Sequence, residues 1–214
     1  MNKFVRKAFG ELDEADVKKY ASYWGDLTVK NHGEYFQRWL FAFCSVHTTW
    51  ESNVAGFSAI KEYDSWLADK EALRSKLISS RCGLHNNRTE YIFDFSNKYW
   101  ANPAWFYPQY GESTSQCRDR LMPGIRGLGL AKTAYALEMS FPLDCNAVCL
   151  DVHMLRLYGD VAAGPKPDVY RKFEADWVRR SEKAEIPPYI ARTVYWDKLQ
   201  GKTDSRYWSS VLES

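Results

Sequence analysis

The sequence predicts an all-α protein, and three observations carry that reading. Apolar residues recur at helical spacing in one segment after another. No stretch of strand length alternates apolar and polar residues. The punctuation between periodic segments is short, as in helical bundles. A chain of 214 residues with 45% hydrophobic and 16% aromatic content can bury a substantial core, which makes one domain, or two closely packed lobes, the natural count.

The elements follow in chain order. Asp13 to Trp24 opens with an Asp cap and an acidic first turn. Gly33 to Cys44 sets Phe36, Trp39, Leu40 and Phe43 at i, i+3, i+4 and i+7, one face of a helix. The same reasoning predicts helices over Trp50–Leu67, Lys70–Ser79, Thr89–Trp100, Ser115–Met122, Ala131–Met139, Val152–Tyr158, Pro167–Arg180 and Pro187–Leu199. Ala101 to Ser113 holds two prolines, a glycine and four aromatics, which preclude a regular helix. Its Trp105, Phe106, Tyr107 and Tyr110 either pack on a core, the commoner use of such a loop, or line a ligand pocket.

Several function classes are set aside by composition. No apolar stretch reaches the ~20 residues of a membrane span, and the N-terminus lacks a signal-peptide core. A chain in the cytoplasm, nucleoid or nucleus is expected, with no membrane partner. The five cysteines, Cys44, Cys82, Cys117, Cys145 and Cys149, contain no CxxC pair; buried free thiols are expected, with no metal site and no cofactor. The formal net charge of +2 hides an asymmetry, because Arg74 to Lys132 holds nine basic and four acidic residues. That balance permits a polyanion-binding face without demanding one.

Met122 to Gly159 carries the chemistry. Gly124, Gly127 and Gly129 stand between two helix candidates. Without a Cβ, backbone N–H groups at the start of the second helix can approach a phosphate, helped by the positive end of the helix dipole. The alternative is a glycine-rich corner that binds nothing. Lys132 follows in the first turn of an otherwise apolar helix, where desolvation and the helix N-terminus disfavour its ammonium form and raise its nucleophilicity. Nineteen residues later Asp151, in Cys149-Leu150-Asp151-Val152-His153, is placed to cap the next helix. Taken singly, these are a helix-start lysine, a plain cap and a surface histidine; together they form a specific combination.

That combination resembles the helix-hairpin-helix (HhH-GPD) DNA glycosylases of the endonuclease III and 8-oxoguanine glycosylase superfamily. The resemblance implies a two-lobed helical fold with a DNA-binding cleft between the lobes: one lobe of about residues 30–130, the other combining the N-terminal helix with about 131–214, and the hairpin at about 115–139. It implies that Lys132 is a Schiff-base nucleophile and Asp151 the catalytic carboxylate. It assigns DNA contacts to Gly124, Gly127, Gly129, Arg126 and His153. Upstream, Cys44-Ser45-Val46-His47-Thr48-Thr49 resembles the family's Leu-Ser-x-Gln-x-Thr segment, so His47 would fill the gap left by an everted base. Gly83 to Ile92 resembles the family's Gly-x-x-x-x-Lys/Arg-Ala-x-x-Ile helix start.

The chain departs from the family in two places. Family hairpins mostly read Gly-x-Gly-x-Lys, whereas one residue more separates Gly127 from Lys132 here, and the cysteine motif of an iron-sulfur cluster is absent. The implied activity is base excision with β-elimination (AP lyase) by a monomer on double-stranded DNA carrying a damaged or modified base, leaning to an oxidised purine such as 8-oxoguanine. An oxidised pyrimidine, a phage-type modified base, a non-catalytic hairpin DNA-binding protein and a helical protein-interaction module stay open on the sequence alone.

Overall fold

The computed structural model describes residues 3–159, 166–201 and 207–213. The described residues form twelve α-helices joined by turns and short 3-10 segments: α1 Lys3–Gly10, α2 Glu14–Asp26, α3 His32–Cys44, α4 Trp50–Ile60, α5 Lys70–Ser79, α6 His85–Ala101, α7 Thr114–Leu121, α8 Leu130–Ser140, α9 Val152–Leu157, α10 Pro167–Lys183, α11 Pro188–Gln200 and α12 Trp208–Glu213. No strand occurs among them, and no described helix is long and apolar enough to cross a membrane.

The chain divides into two compact units, Met1–Thr28 with Leu137–Tyr207, and Val29–Ala136 with Trp208–Ser214. The division falls within α8, and α12 goes with the second unit. The first unit is organised around indole rings. Trp24 of α2 meets Tyr189 edge-on at 5.1 Å, and Phe9 of α1 lies 4.7 Å from Trp177 of α10. The Trp177 indole N–H donates to the Pro188 carbonyl at 3.1 Å, which ties α10 to the start of α11.

In the second unit α3 is the central rod. Beyond the predicted face of Phe36, Trp39, Leu40 and Phe43, its Tyr35, Phe41, Ala42 and Cys44 are buried as well. A helix buried on nearly every side must be enclosed, and α4, α6 and α12 supply the walls: Phe57 of α4 stands 5.4 Å from Phe41, Phe95 of α6 stacks on Phe36 at 6.0 Å, and Trp208 of α12 meets Phe41 at 5.3 Å. The guanidinium of Arg38 covers the Trp208 ring at 3.8 Å, and Lys61 Nζ donates to the Leu212 carbonyl at 2.5 Å, which fasten α12.

Two predicted boundaries are corrected. The helix expected over Trp50–Leu67 stops at Ile60, where the indole N–H of buried Trp66 takes the Ile60 carbonyl at 2.8 Å and Tyr63–Ser65 forms a 3-10 turn. The helix expected from Thr89 starts at His85, behind Gly83 and Leu84 at φ +73° and +49°. Its first turn is polar and shows no apolar period. The short α1 and α12 are additions that the sequence reading does not contain.

Candidate functional site

The glycine hairpin is built onto α6. After α7, capped by a reciprocal Ser113–Gln116 capping box, Met122–Gly124 makes a 3-10 turn, and Ile125 and Leu128 are buried. Those two side chains anchor one side of the hairpin, while Gly124, Arg126, Gly127 and Gly129 are exposed. Gly127 has φ +87°, and a Cβ there would lie 2.3 Å from Cδ2 of Tyr91 on α6. The position therefore requires glycine for its backbone and for its space. The Arg126 guanidinium lies 5.4 Å from the centre of the same Tyr91 ring. Lys98 Nζ donates to the Gly124 carbonyl at 3.0 Å while paired with Asp94 at 2.8 Å.

At the far end of the hairpin the Gly129 carbonyl accepts the Thr133 N–H at 3.0 Å, so Gly129 is the capping residue of α8. The N–H groups of Leu130, Ala131 and Lys132 then have no acceptor within the helix. Lys132 is the third helical residue. It is half-buried, its Nζ 5.3 Å from the Tyr135 ring centre, whereas Thr133 to Ser140 are all buried. The hairpin glycines, Arg126 and Lys132 thus stand together at one end of α8, within the unit Val29–Ala136.

Asp151 is the N-cap of α9, in the other unit. Its Oδ1 accepts the N–H groups of His153 and Met154, both at 3.0 Å, and its Oδ2 accepts the indole N–H of Trp196 on α11, also at 3.0 Å. The extended connector leading to it has no strand partner, and buried side chains satisfy its backbone. Val148 N–H donates to Glu174 at 2.7 Å, Cys149 N–H to Glu138 at 3.1 Å, and Leu150 N–H to the Tyr170 hydroxyl at 3.0 Å. That hydroxyl in turn donates to the Val148 carbonyl at 2.6 Å. Glu138 of α8 is fully buried and paired with Arg192 of α11 at 2.5 Å. Burial pushes its carboxyl up, to about 7, and the Asp151 charge adds to that, while Arg192 and the Cys149 N–H pull it back.

Glu138, Glu174, Tyr170, Arg192 and Trp196 are absent from the sequence-level set of site residues. One signal for them stood in the sequence, the lone acid of the apolar helix α8, since a buried carboxylate requires a partner. The distance in sequence between Glu138 and Arg192 hides that partner.

The remaining candidates occupy separate places. His153, half-buried, lines an open pocket of about 260 Å³ with Phe4, Arg156, Leu157 and Leu199. His47 is exposed at φ +48° in the turn after α3. The turn is held from beneath by buried Arg88, whose Nη2 donates to the carbonyls of Cys44 at 3.0 Å and Val46 at 2.7 Å, and whose Nη1 donates to those of Cys82 and Gly83. Among the aromatics of the irregular segment, Phe106 is buried against Phe95 and Tyr99 at 5.3 and 5.1 Å, and Tyr107 packs on Tyr35 at 4.3 Å. Trp105 is half exposed under the Arg120 guanidinium at 4.4 Å. Phe106 and Tyr107 are thus core-facing in their own unit, the commoner use of such a loop, and Tyr110 is fully exposed.

No protein-family model matches the chain, and no curated protein matches it by sequence. Solved structures do. The 8-oxoguanine DNA glycosylase of Thermotoga maritima superposes with a TM-score of 0.68 at 18% identity, over 90% of each chain. That of Methanocaldococcus jannaschii gives 0.71 at 20% identity, over 92% of this chain and 94% of that one. The 8-oxoguanine glycosylase/lyase of the same organism, in complex with a 15mer DNA containing 8-oxoguanine, gives 0.74 at 18% identity, over 95% and 98%. The all-α fold of this chain is the fold of those glycosylases.

Proposed function

We propose that this chain is a DNA N-glycosylase with AP lyase activity that excises an oxidised purine such as 8-oxoguanine, acting as a monomer on double-stranded DNA. The observation that carries the reading is a coincidence of features on one chain. A fold shared over nine-tenths of its length with 8-oxoguanine glycosylases also presents a lysine in the first turn after a glycine hairpin and an aspartate fixed as the N-cap of the next helix. The solved complex with 8-oxoguanine DNA supports DNA as the partner and favours the oxidised purine over the other substrates.

In this reading the duplex is gripped by hairpin N–H groups, with Arg126 and His153 adding polar contacts to phosphate. The target nucleotide is everted at a cost of a few kcal/mol, partly offset by His47 entering the gap. The neutral amine of Lys132 adds to C1′, and the C1′–N bond to the base breaks with its electron pair leaving on the base, which takes up a proton. Asp151 stabilises the cationic character of the sugar and assists proton transfer. The lysine–sugar adduct opens to an imine; loss of a C2′ proton then expels the 3′ phosphate by β-elimination.

Duplexes carrying 8-oxoguanine, oxidised pyrimidines or no lesion are incubated with the protein, and base release and strand scission are measured. Release from the 8-oxoguanine duplex, and a borohydride-trapped protein–DNA adduct that Lys132→Ala abolishes, are expected. Asp151→Asn is expected to bind the lesion duplex and turn over at least about 100-fold more slowly. Absence of release from every duplex refutes the glycosylase reading, and an undiminished adduct in Lys132→Ala removes Lys132 as the nucleophile.

A further inference from the structure

We propose that Trp196 is a positioning residue for Asp151: its indole N–H, given to Oδ2, locks the carboxylate in one orientation at the start of α9. The inference rests on the reading of Asp151 as the catalytic carboxylate, and deepens it. An aspartate N-cap needs one oxygen for its task, and Oδ1 performs it alone by accepting both His153 and Met154 N–H groups. In such a cap the second oxygen is free to face water. Here Trp196, 45 residues further along the chain, directs its one donor at Oδ2. With both oxygens held, the carboxylate plane cannot turn about its χ2 bond without breaking a hydrogen bond at one end.

The helix that carries Trp196 is itself aligned for this contact. Arg192 lies one turn earlier on the same face of α11 and pairs with Glu138. Glu138 accepts the N–H of Cys149, two residues before Asp151. Helix α11 therefore meets the connector twice, once through Glu138 at its backbone and once through Trp196 at the carboxylate. Glu174 and Tyr170 of α10 fix the residues beside those two points. A catalytic charge gains most when its orientation is set before the reaction, so that no reorganisation is needed as the sugar becomes cationic.

The test is Trp196→Phe, which keeps the ring and removes the donor. Loss of one hydrogen bond to a charged group, about 1.5 kcal/mol, converts to about a tenfold fall in kcat. The affinity for the 8-oxoguanine duplex is expected to stay within twofold. The decisive measurement is a double-mutant cycle on single-turnover base release. If Trp196 acts through Asp151, adding Trp196→Phe to Asp151→Asn costs nothing further; a merely structural role costs the same tenfold in both backgrounds. An unchanged kcat in Trp196→Phe, or full additivity in the cycle, overturns the proposal.

Its failure is separable from failure of the functional reading. If the wild-type chain releases no base, that reading falls, and the contact is still read from the assigned indole N–H resonance of Trp196 in the wild-type protein. The resonance is expected to shift when Asp151→Asn removes the charge on its acceptor. A resonance that stays in place overturns the positioning contact whatever the activity.

Discussion

Gly127→Ala is the sharpest perturbation of the hairpin, because two independent costs meet at one atom. The backbone there has φ +87°, which charges a residue with a Cβ about 1–2 kcal/mol. The new methyl would also stand 2.3, 2.7 and 3.0 Å from Cδ2, Cγ and Cε2 of Tyr91, against about 3.5–4.0 Å for a comfortable carbon contact. The ring has to move by roughly 1 Å, and overpacking of this kind costs about 1–3 kcal/mol. The sum, about 2–5 kcal/mol, is read from urea unfolding of the variant. Tyr91→Ala in the same chain removes only the second cost, so the cycle is expected to show a favourable coupling of at least about 1 kcal/mol. Affinity for duplex DNA is expected to fall while the slope of log K against log salt stays as in the wild type, because displaced N–H groups carry no formal charge. A loss below 1 kcal/mol, or an additive cycle, refutes the claim that Tyr91 dictates glycine at this position.

Two further outcomes follow from buried groups. Arg88→Met leaves the carbonyls of Cys44, Val46, Cys82 and Gly83 without their shared donor, and is expected to cost about 3–5 kcal/mol in guanidinium unfolding. Arg88→Lys is expected to recover only part of it, since an ammonium cannot span four acceptors as the fork does; a loss under 1 kcal/mol in Arg88→Met would show that the turn bearing His47 is held by other means. Burial pushes the thiols of Cys44 and Cys117 up to about 12, so at pH 8 their thiolate fraction is on the order of 10⁻⁴. All five cysteines are buried and outside any disulfide. The native protein is therefore expected to resist iodoacetamide and to yield five alkylated thiols once unfolded, and rapid labelling of Cys44 or Cys117 in the native state would contradict that packing.

The fold was legible wherever one physical signal governed a segment. The apolar period places α5, and together with an Asp cap α2, within a residue or two of their observed ends. Misplaced boundaries arise where a distant or polar partner decides. Trp66 ends α4 by capturing the Ile60 carbonyl, and no local pattern announces that choice. The first turn of α6 is polar because Arg88 faces carbonyls from two other segments. At the site, the hairpin and Lys132 are contiguous in sequence, so their grouping was readable. The surroundings of Asp151 were not, because Glu138 (itself paired with Arg192), Tyr170 and Glu174 hold the backbone of Val148 to Leu150 and Trp196 holds the Asp151 carboxylate, from three helices distant in sequence.

Charge shows why counting residues understates what the chain can offer a polyanion. Of the nine cations between Arg74 and Lys132, Arg88 and Arg118 are buried and work on the interior. Arg120 is committed to Glu112 at 2.7 Å and Lys98 to Asp94 at 2.8 Å. Four of the nine cations thus serve the structure, and two cations of the segment bear on the hairpin directly: Lys98 holds the Gly124 carbonyl, and Arg126 lies over the Tyr91 ring that seats Gly127. Cations used this way act on a phosphate through geometry, by fixing where uncharged N–H groups and the end of a helix dipole are presented. On the proposed function, a net charge of only +2 suffices because the backbone is gripped by a preformed hairpin, provided the residues beneath it hold that hairpin still.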